Sequence, residues 1–127
     1  MTAGRILVIE DNPTNMKLVR DVLRFRGYDV LEATTGEDGV RVALEQTPDL
    51  VLLDLQLPGI DGHETLRRLR RDHPRGRVPV VAVTALAMAQ DRARAAQAGF
   101  DGYLEKPISV RSLGDQVAGF LALRDQP

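Results

Sequence analysis

Short apolar runs that end in polar residues restrict the fold of this chain more than any other feature. Four such runs and the polar residues that follow them are Arg5–Ile9 with Glu10 and Asp11, Leu50–Leu53 with Asp54, Val80–Val83 with Thr84, and Tyr103–Leu104 with Glu105 and Lys106. A fifth run, around Tyr28–Ala33, ends in the small polar residues Thr34 and Thr35. If the runs are parallel strands, right-handed crossovers bring all their carboxyl ends to one edge of a sheet. The sequence therefore predicts a cluster of carboxylates, a hydroxyl and an ammonium at that edge.

Helix-like segments alternate with the runs, which predicts an α/β domain with a parallel sheet. The predicted strands are 5–9, 29–33, 50–53, 79–84 and 102–105, and the predicted helices are 13–26, 36–46, 63–71, 87–98 and 109–123. Asn12 is a good N-cap for the first helix, Pro13 suits its first position, and Gly27 ends it.

Length and composition narrow the class of protein. The 127 residues fit one domain, 1–127, and the few residues after the last helix predict that no output domain is attached. The absence of cysteine excludes disulfides and thiolate chemistry. The net charge of −1 and the lack of a long apolar segment predict a cytoplasmic protein that binds neither nucleic acid nor membrane.

The predicted cluster has a definite chemistry. Glu10, Asp11 and Asp54 concentrate negative charge, which is unfavourable unless a cation neutralises it. Mg²⁺ prefers such oxygen ligands. A carboxylate can also attack phosphorus, while Lys106 and Thr84 stabilise charge on the phosphoryl oxygens.

The chain resembles the receiver domains of two-component response regulators over nearly its whole length. The matching elements are Glu10-Asp11-Asn12, Asp54, Leu57-Pro58-Gly59 with Asp61-Gly62, Thr84-Ala85 and Lys106-Pro107. The stretches EDNPTNMKL, VPVVAVTALAM and EKPISV are similar to single-domain cell-division regulators within the family. The resemblance implies a flavodoxin-like, doubly wound sheet of five parallel strands in the order 2-1-3-4-5, flanked by five helices.

The resemblance also implies a role for each matching residue. Asp54 is expected to be the phosphoacceptor and, with Asp11, to ligate Mg²⁺, for which Mn²⁺ is a possible substitute. The backbone carbonyl of Gln56 is the expected third ligand, and Glu10 is expected to hold a metal-bound water.

The remaining implied roles concern the phosphoryl group and the conformational switch. Lys106 is expected to contact the phosphoryl group through a loop with a cis Lys106–Pro107 bond. Thr84 is expected to move toward it after phosphorylation, and Tyr103 to rotate inward and follow. The implied phosphoryl donor is a histidine kinase or a histidine phosphotransferase, and the downstream protein partner is not identified.

Two other functions stay open on the residues alone. An aspartyl-phosphate phosphatase or phosphotransferase would need a second catalytic acid near Asp54, but Gln56 stands two residues later, so we expect no turnover enzyme and a phosphoryl lifetime of minutes upward. The chain could also be a receiver excised from a hybrid histidine kinase. No heptad is evident in helices four and five, which favours a monomer.

Helix one carries an apolar arc that covers about half of its circumference. Its residues are Met16, Leu18, Val19, Val22, Leu23 and Phe25. Since a core-facing stripe needs only somewhat more than ~100°, the arc is either a wide core face or a core face beside a docking patch. The predicted docking residues are Asn15, Leu18, Val22 and Pro107.

A basic run in helix three and the loop after it suggests contacts to a phosphate backbone. Its residues are Arg67, Arg68, Arg70, Arg71, Arg75 and Arg77. A solvated helix end is the preferred interpretation, because cations suit the carboxyl end of a helix dipole.

Overall fold

The computed structural model describes residues 4–73, 78–85 and 89–125. Its strands are β1 Arg5–Ile9, β2 Asp29–Ala33, β3 Leu50–Asp54, β4 Val80–Thr84 and β5 Gly102–Glu105. Its helices are α1 Pro13–Phe25, α2 Gly36–Gln46, α3 Gly62–Asp72, α4 Ala89–Ala98 and α5 Val110–Leu121, followed by a 3-10 turn at Ala122–Asp125. The predicted start of helix four at Ala87, and Arg75 and Arg77 of the basic run, lie outside the described residues.

The five strands form one parallel sheet in the order β2-β1-β3-β4-β5. Both the fold class and the strand order that the sequence predicted are therefore confirmed. Every residue of β3 and β4 is buried, as expected for central strands that are covered on both faces.

Helices cover both faces of the sheet, and each face has its own core. One core joins the sheet to α2, α3 and α4 through residues such as Ala43, Leu66 and Ala95. The other joins it to α1 and α5 through residues such as Leu23 and Val117. This doubly wound arrangement leaves the carboxyl ends of the strands uncovered, where open α/β sheets bind their ligands.

The structure shows which residues of the wide apolar arc of α1 are buried. Met16, Val19 and Leu23 are buried. Leu18 and Val22 are only half-buried, and Phe25 is 91% exposed. The core therefore takes half of the arc, and an apolar margin stays at the surface.

The helix ends follow local rules that the sequence carries. The Asn12 side chain accepts hydrogen bonds from the backbone N–H groups of Thr14 and Asn15, at 2.9 and 3.0 Å, and so caps α1. Ser109 caps α5 in the same way through the N–H of Ser112. These caps set the direction in which each helix leaves the edge of the sheet that bears the polar residues.

A partly buried ion pair closes the opposite edge of the sheet. Arg70 of α3 donates to a carboxylate oxygen of Asp101 at 2.5 Å, and also to the backbone carbonyls of Val78 and Gly99. The same Asp101 oxygen accepts from the N–H of Val80, at the start of β4. Arg70 therefore ties α3 to the segments that lead into β4 and β5, so that this member of the basic run is structural.

Candidate functional site

Three carboxylates meet at the carboxyl ends of β1 and β3. The register places Ile9 opposite Leu53, so that the next residues, Glu10 and Asp54, emerge side by side. One carboxylate oxygen from each of Glu10, Asp11 and Asp54 lies within 4.8 Å of the others. Glu10 and Asp54 are buried, whereas Asp11 is exposed. The group has the hard oxygen donors that suit a divalent cation such as Mg²⁺.

The ammonium of Lys106 bridges the two buried carboxylates. Its Nζ lies 2.9 Å from Oδ2 of Asp54 and 3.0 Å from Oε1 of Glu10. Burial lowers the pKa of Lys106, but the hydrogen bonds to Asp54 and Glu10 outweigh burial and leave this pKa raised. Lys106 therefore stays protonated as a fixed cation beside Asp54.

Burial raises the pKa of Glu10, and the neighbouring Asp54 carboxylate raises it further, against the lowering effect of Lys106. The Glu10 side chain also accepts a hydrogen bond from the N–H of Asn12, at 3.2 Å. The single positive charge of Lys106 does not neutralise the three carboxylates. A bound metal ion would supply the missing positive charge.

Asp54 is oriented by a second donor at its other oxygen. The backbone N–H of Gln56 donates to Oδ1 of Asp54 at 2.9 Å, while the Gln56 side chain is exposed. The two oxygens of Asp54 are thus held in fixed positions by Lys106 and by the backbone, and each keeps lone pairs for a further ligand. A buried carboxylate that is oriented in this way can serve as a nucleophile.

A tight loop between β3 and α3 supports the acceptor. The Asp61 side chain caps α3 by accepting from the N–H of Glu64 at 2.9 Å. A Cβ at Gly62 would lie 2.7 Å from the Cα of Leu55, so only glycine allows this close approach. The end of the loop at Gly62 therefore packs against Leu55, the residue that directly follows Asp54.

Thr84 ends β4, and Tyr103 lies on the neighbouring strand β5. Thr84 is buried, and its carbonyl accepts from the N–H of Lys106 at 2.9 Å. Both residues line a cavity of about 120 Å³ between the sheet, α3 and α4. The hydroxyl of Tyr103 is buried.

The loop after β5 completes the site. The Lys106–Pro107 peptide bond is cis. Pro107 is exposed next to the carboxylate cluster, and the half-buried Asn15, Leu18 and Val22 lie on α1. The structure thus brings together Glu10, Asp11, Asp54 and Lys106.

An ion pair near Tyr103 has no counterpart in the sequence-based predictions. Arg92 of α4 forms an ion pair with Glu105 at the end of β5, and its guanidinium lies 5.5 Å from the centroid of the Tyr103 ring. Glu105 was evident as a strand-end carboxylate, but no spacing in the sequence pointed to Arg92. Their contact depends on how α4 packs against the edge strand.

The chain matches the model of the response regulator receiver domain over residues 6–118. It is 39% identical to the polar-differentiation response regulator DivK of Brucella ovis over 116 residues, which cover 91% of this chain and 94% of the relative. Brucella suis and Brucella abortus have DivK relatives with the same identity.

Solved structures agree with this assignment. A receiver domain of a sensor histidine kinase from Pseudomonas aeruginosa, which holds a magnesium ion in its active-site cleft, is 36% identical, with a TM-score of 0.84 and coverage of 94% of this chain and 98% of that one. A response regulator of Chloroflexus aurantiacus is 32% identical, with a TM-score of 0.85 and the same coverage. Among the described residues, no helix is both long and apolar enough to cross a membrane. The chain belongs to the response regulator receiver domain family.

Proposed function

We propose that this chain is a phosphorylation-controlled signalling switch whose phosphoacceptor is Asp54. The observation that carries the proposal is the buried Asp54 carboxylate, which is held by Lys106 at 2.9 Å and by the Gln56 N–H at 2.9 Å inside an acidic cluster. A carboxylate that only ended a strand would have no need of a partly buried ammonium and two further carboxylates beside it.

The proposed reaction moves a phosphoryl group from a histidine of a partner protein. An oxygen of Asp54 forms a bond to phosphorus, the phosphorus–nitrogen bond breaks, and its electron pair stays on the imidazole. Lys106 stabilises negative charge on the transferred group. Thr84, which is buried at the end of the adjacent strand, would donate a hydrogen bond to a phosphoryl oxygen once the group is attached.

Mg²⁺ fits the residues of the site. Asp11 and Asp54 would hold it directly, the Gln56 carbonyl would be a third ligand, and Glu10 would hold it through a water. The ion would supply positive charge for the phosphoryl oxygens. The acidic cluster, and the relative that carries magnesium in its cleft, support this assignment.

We assign the donor to the histidine kinases and histidine phosphotransferases, which present their histidine on a helix. The half-buried apolar residues Leu18 and Val22 of α1, together with Asn15 and the exposed Pro107, form the proposed docking patch. These residues flank the acidic cluster on the side of α1. The name of the Brucella relatives concerns polar differentiation, and we propose a process of that class, in the cytoplasm, for this chain.

We propose that the phosphoryl group stays on Asp54 after transfer and that the protein does not hydrolyse it in catalytic turnover. The side chain two residues after Asp54 is the exposed amide of Gln56, which cannot act as a general base for water. We expect the phosphoryl group to persist for minutes or longer without a phosphatase. Loss within seconds in the purified protein would contradict this expectation.

The test is phosphorylation by a small acyl-phosphate donor, followed by intact-protein mass spectrometry. Wild type should gain one phosphoryl group only with Mg²⁺, and Asp54→Asn should gain none. Asp29→Asn is the matched control, because Asp29 is exposed on the edge strand β2 and lies outside the acidic cluster. Uptake that persists in Asp54→Asn, or that does not need Mg²⁺, would overturn the proposal.

A relay function is the second candidate, and the receiver domain of the Pseudomonas sensor kinase favours it. A relay receiver passes its phosphoryl group to a further histidine and does not regulate a target by binding it. Phosphorylated protein mixed with a histidine phosphotransferase would lose its label to that protein within seconds if the chain is a relay. Retention of the label would favour regulation by binding.

A further inference from the structure

An ion pair and a stacked ring join α4 to the edge strand of the sheet. Arg92 of α4 pairs with Glu105, the last residue of β5, and the Arg92 guanidinium lies 5.5 Å from the ring centroid of Tyr103. The side chains of Arg92 and Glu105 are 57% and 39% exposed, so the pair lies on the outer side of the ring. Arg92 thus covers the tyrosine from the solvent side.

Tyr103 itself is turned toward the interior. Its hydroxyl is buried and has no hydrogen-bond partner within the part of the chain that the structure describes. It lines the cavity of about 120 Å³ that it shares with Thr84 and Leu55. Burial raises the pKa of this hydroxyl, and the carboxylate of Asp91 raises it further. A buried hydroxyl without a partner is unfavourable, so other contacts must hold the ring inward.

Tyr103 packs against the core that contains Ala95, but α4 adds little apolar surface to this contact. The helix is rich in alanine, and Ala95 is its one buried residue among those described. The exposed side of the ring, on an edge strand, is covered by the guanidinium of Arg92. Glu105 keeps that guanidinium in place because it accepts its hydrogen bond from the same strand that carries Tyr103.

We propose that Arg92 and Glu105 form a latch that holds the switch residue Tyr103 inward before Asp54 is phosphorylated. The inference rests on the proposed function, because the inward ring next to Thr84 is the orientation expected after phosphorylation. The latch shifts a pre-existing equilibrium toward that orientation and does not create a new one. Arg92 is a positioning residue, since its contacts within the described part of the chain are with Glu105 and Tyr103 and not with the acidic cluster.

The size of the shift follows from the exposure of the two side chains. An exposed ion pair and an exposed cation–π contact each contribute modestly, and together they favour the inward ring by about fivefold. Loss of the latch should therefore lower the ratio of inward to outward tyrosine about fivefold. It should also weaken activation, because the phosphorylated state would have to supply that factor itself.

Tyrosine fluorescence measures the position of the ring directly. The sequence has two tyrosines and no tryptophan, so Tyr28→Phe leaves Tyr103 as the single emitter. Acrylamide, a neutral quencher, reports how far solvent reaches the ring without responding to the charge of Arg92. In this background, Arg92→Gln and Glu105→Gln should each increase quenching, and the double variant should add little to the stronger single one.

Arg111→Gln is the matched control, because it removes the same charge from an exposed position on α5 without removing the guanidinium that stacks on Tyr103. Arg92→Lys separates charge from stacking: a latch that uses the planar guanidinium should open in this variant as well. Equal quenching in the parent and in Arg92→Gln would overturn the proposal. So would an equal rise in Arg111→Gln, since the effect would then be general electrostatics.

The measurement needs no phosphoryl donor, so it is independent of the acceptor chemistry. Circular dichroism confirms that each variant is folded, as expected for exposed positions. If the latch variants expose Tyr103 while wild type takes up no phosphoryl group, the latch stands and the proposed function fails. If uptake at Asp54 is normal and the quenching is unchanged, the function stands and the latch fails.

Discussion

Asp11→Asn should stabilise the protein in the absence of divalent cations and remove most of its response to Mg²⁺. Asp11 is the exposed member of the acidic cluster, and its carboxylate lies within 4.8 Å of both Glu10 and Asp54. Lys106 pairs with the two buried carboxylates, at 3.0 and 2.9 Å, so the charge of Asp11 is the least compensated of the three. Removing it relieves repulsion without breaking an ion pair that the structure shows.

The magnitude follows from the geometry. At 4.8 Å, two unit charges in a water-like medium repel by about 0.9 kcal/mol. Two such pairs give about 1.7 kcal/mol, and screening by salt reduces this to roughly 1 kcal/mol. For a chain of this size, that corresponds to a rise in Tm of about 4 °C.

Thermal unfolding followed by circular dichroism, in EDTA and in Mg²⁺, tests the prediction. Wild type should gain about 2.7 kcal/mol when free Mg²⁺ is one hundred times its Kd, and Asp11→Asn should gain much less at the same concentration. Asp29→Asn controls for the loss of one surface carboxylate. A lower Tm for Asp11→Asn in EDTA, or a Mg²⁺ response equal to that of wild type, would refute the reasoning.

Three further predictions follow from other contacts. Arg70→Ala should lower the free energy of unfolding in urea by about 2 kcal/mol, because the partly buried carboxylate of Asp101 loses its charged hydrogen-bond partner; a loss below 1 kcal/mol would contradict a structural role. Phe25→Ser should change that free energy by less than about 0.5 kcal/mol, since the ring is 91% exposed; a large loss would mean that the ring is packed. Because the pKa of Glu10 is raised in the folded state, its contribution to stability is present below its ordinary pKa of 4.5 and is lost as the pH rises through the folded value. In EDTA, Glu10→Gln should therefore remove this decrease in the free energy of unfolding with rising pH. Urea unfolding between pH 4 and 8 tests this, and the same pH profile in wild type and Glu10→Gln would contradict the reasoning.

Much of the fold was predictable because its signals are local. Asn12 and Pro13 predicted the start of α1, and Gly27 predicted its end. The apolar runs of β3 and β4 predicted central parallel strands. The carboxylate cluster followed from the same pattern, since parallel strands bring their ends together whatever their separation in sequence.

The features that the sequence did not reveal depend on side chains from distant elements. Arg70 stands in a basic run that looked solvated, yet it reaches Asp101 and ties α3 to the start of β4. Arg92 meets Tyr103 only because α4 packs along β5. Phe25 belongs to the apolar arc of α1 but lies beyond the part that the sheet and α5 cover. Tertiary packing, and not periodicity, decides such cases.

The site draws its residues from strand ends that are far apart in the sequence, and Lys106 comes last. During synthesis, Glu10, Asp11 and Asp54 emerge long before the cation that neutralises them. The ammonium reaches Asp54 only after β5 has joined the sheet beside β4. Pairing between strands that are distant in sequence is slow compared with local helix formation. A partly folded chain in which β1 has paired with β3 but β5 has not joined would hold the three carboxylates without Lys106. The site can therefore receive a phosphoryl group only when the sheet is complete.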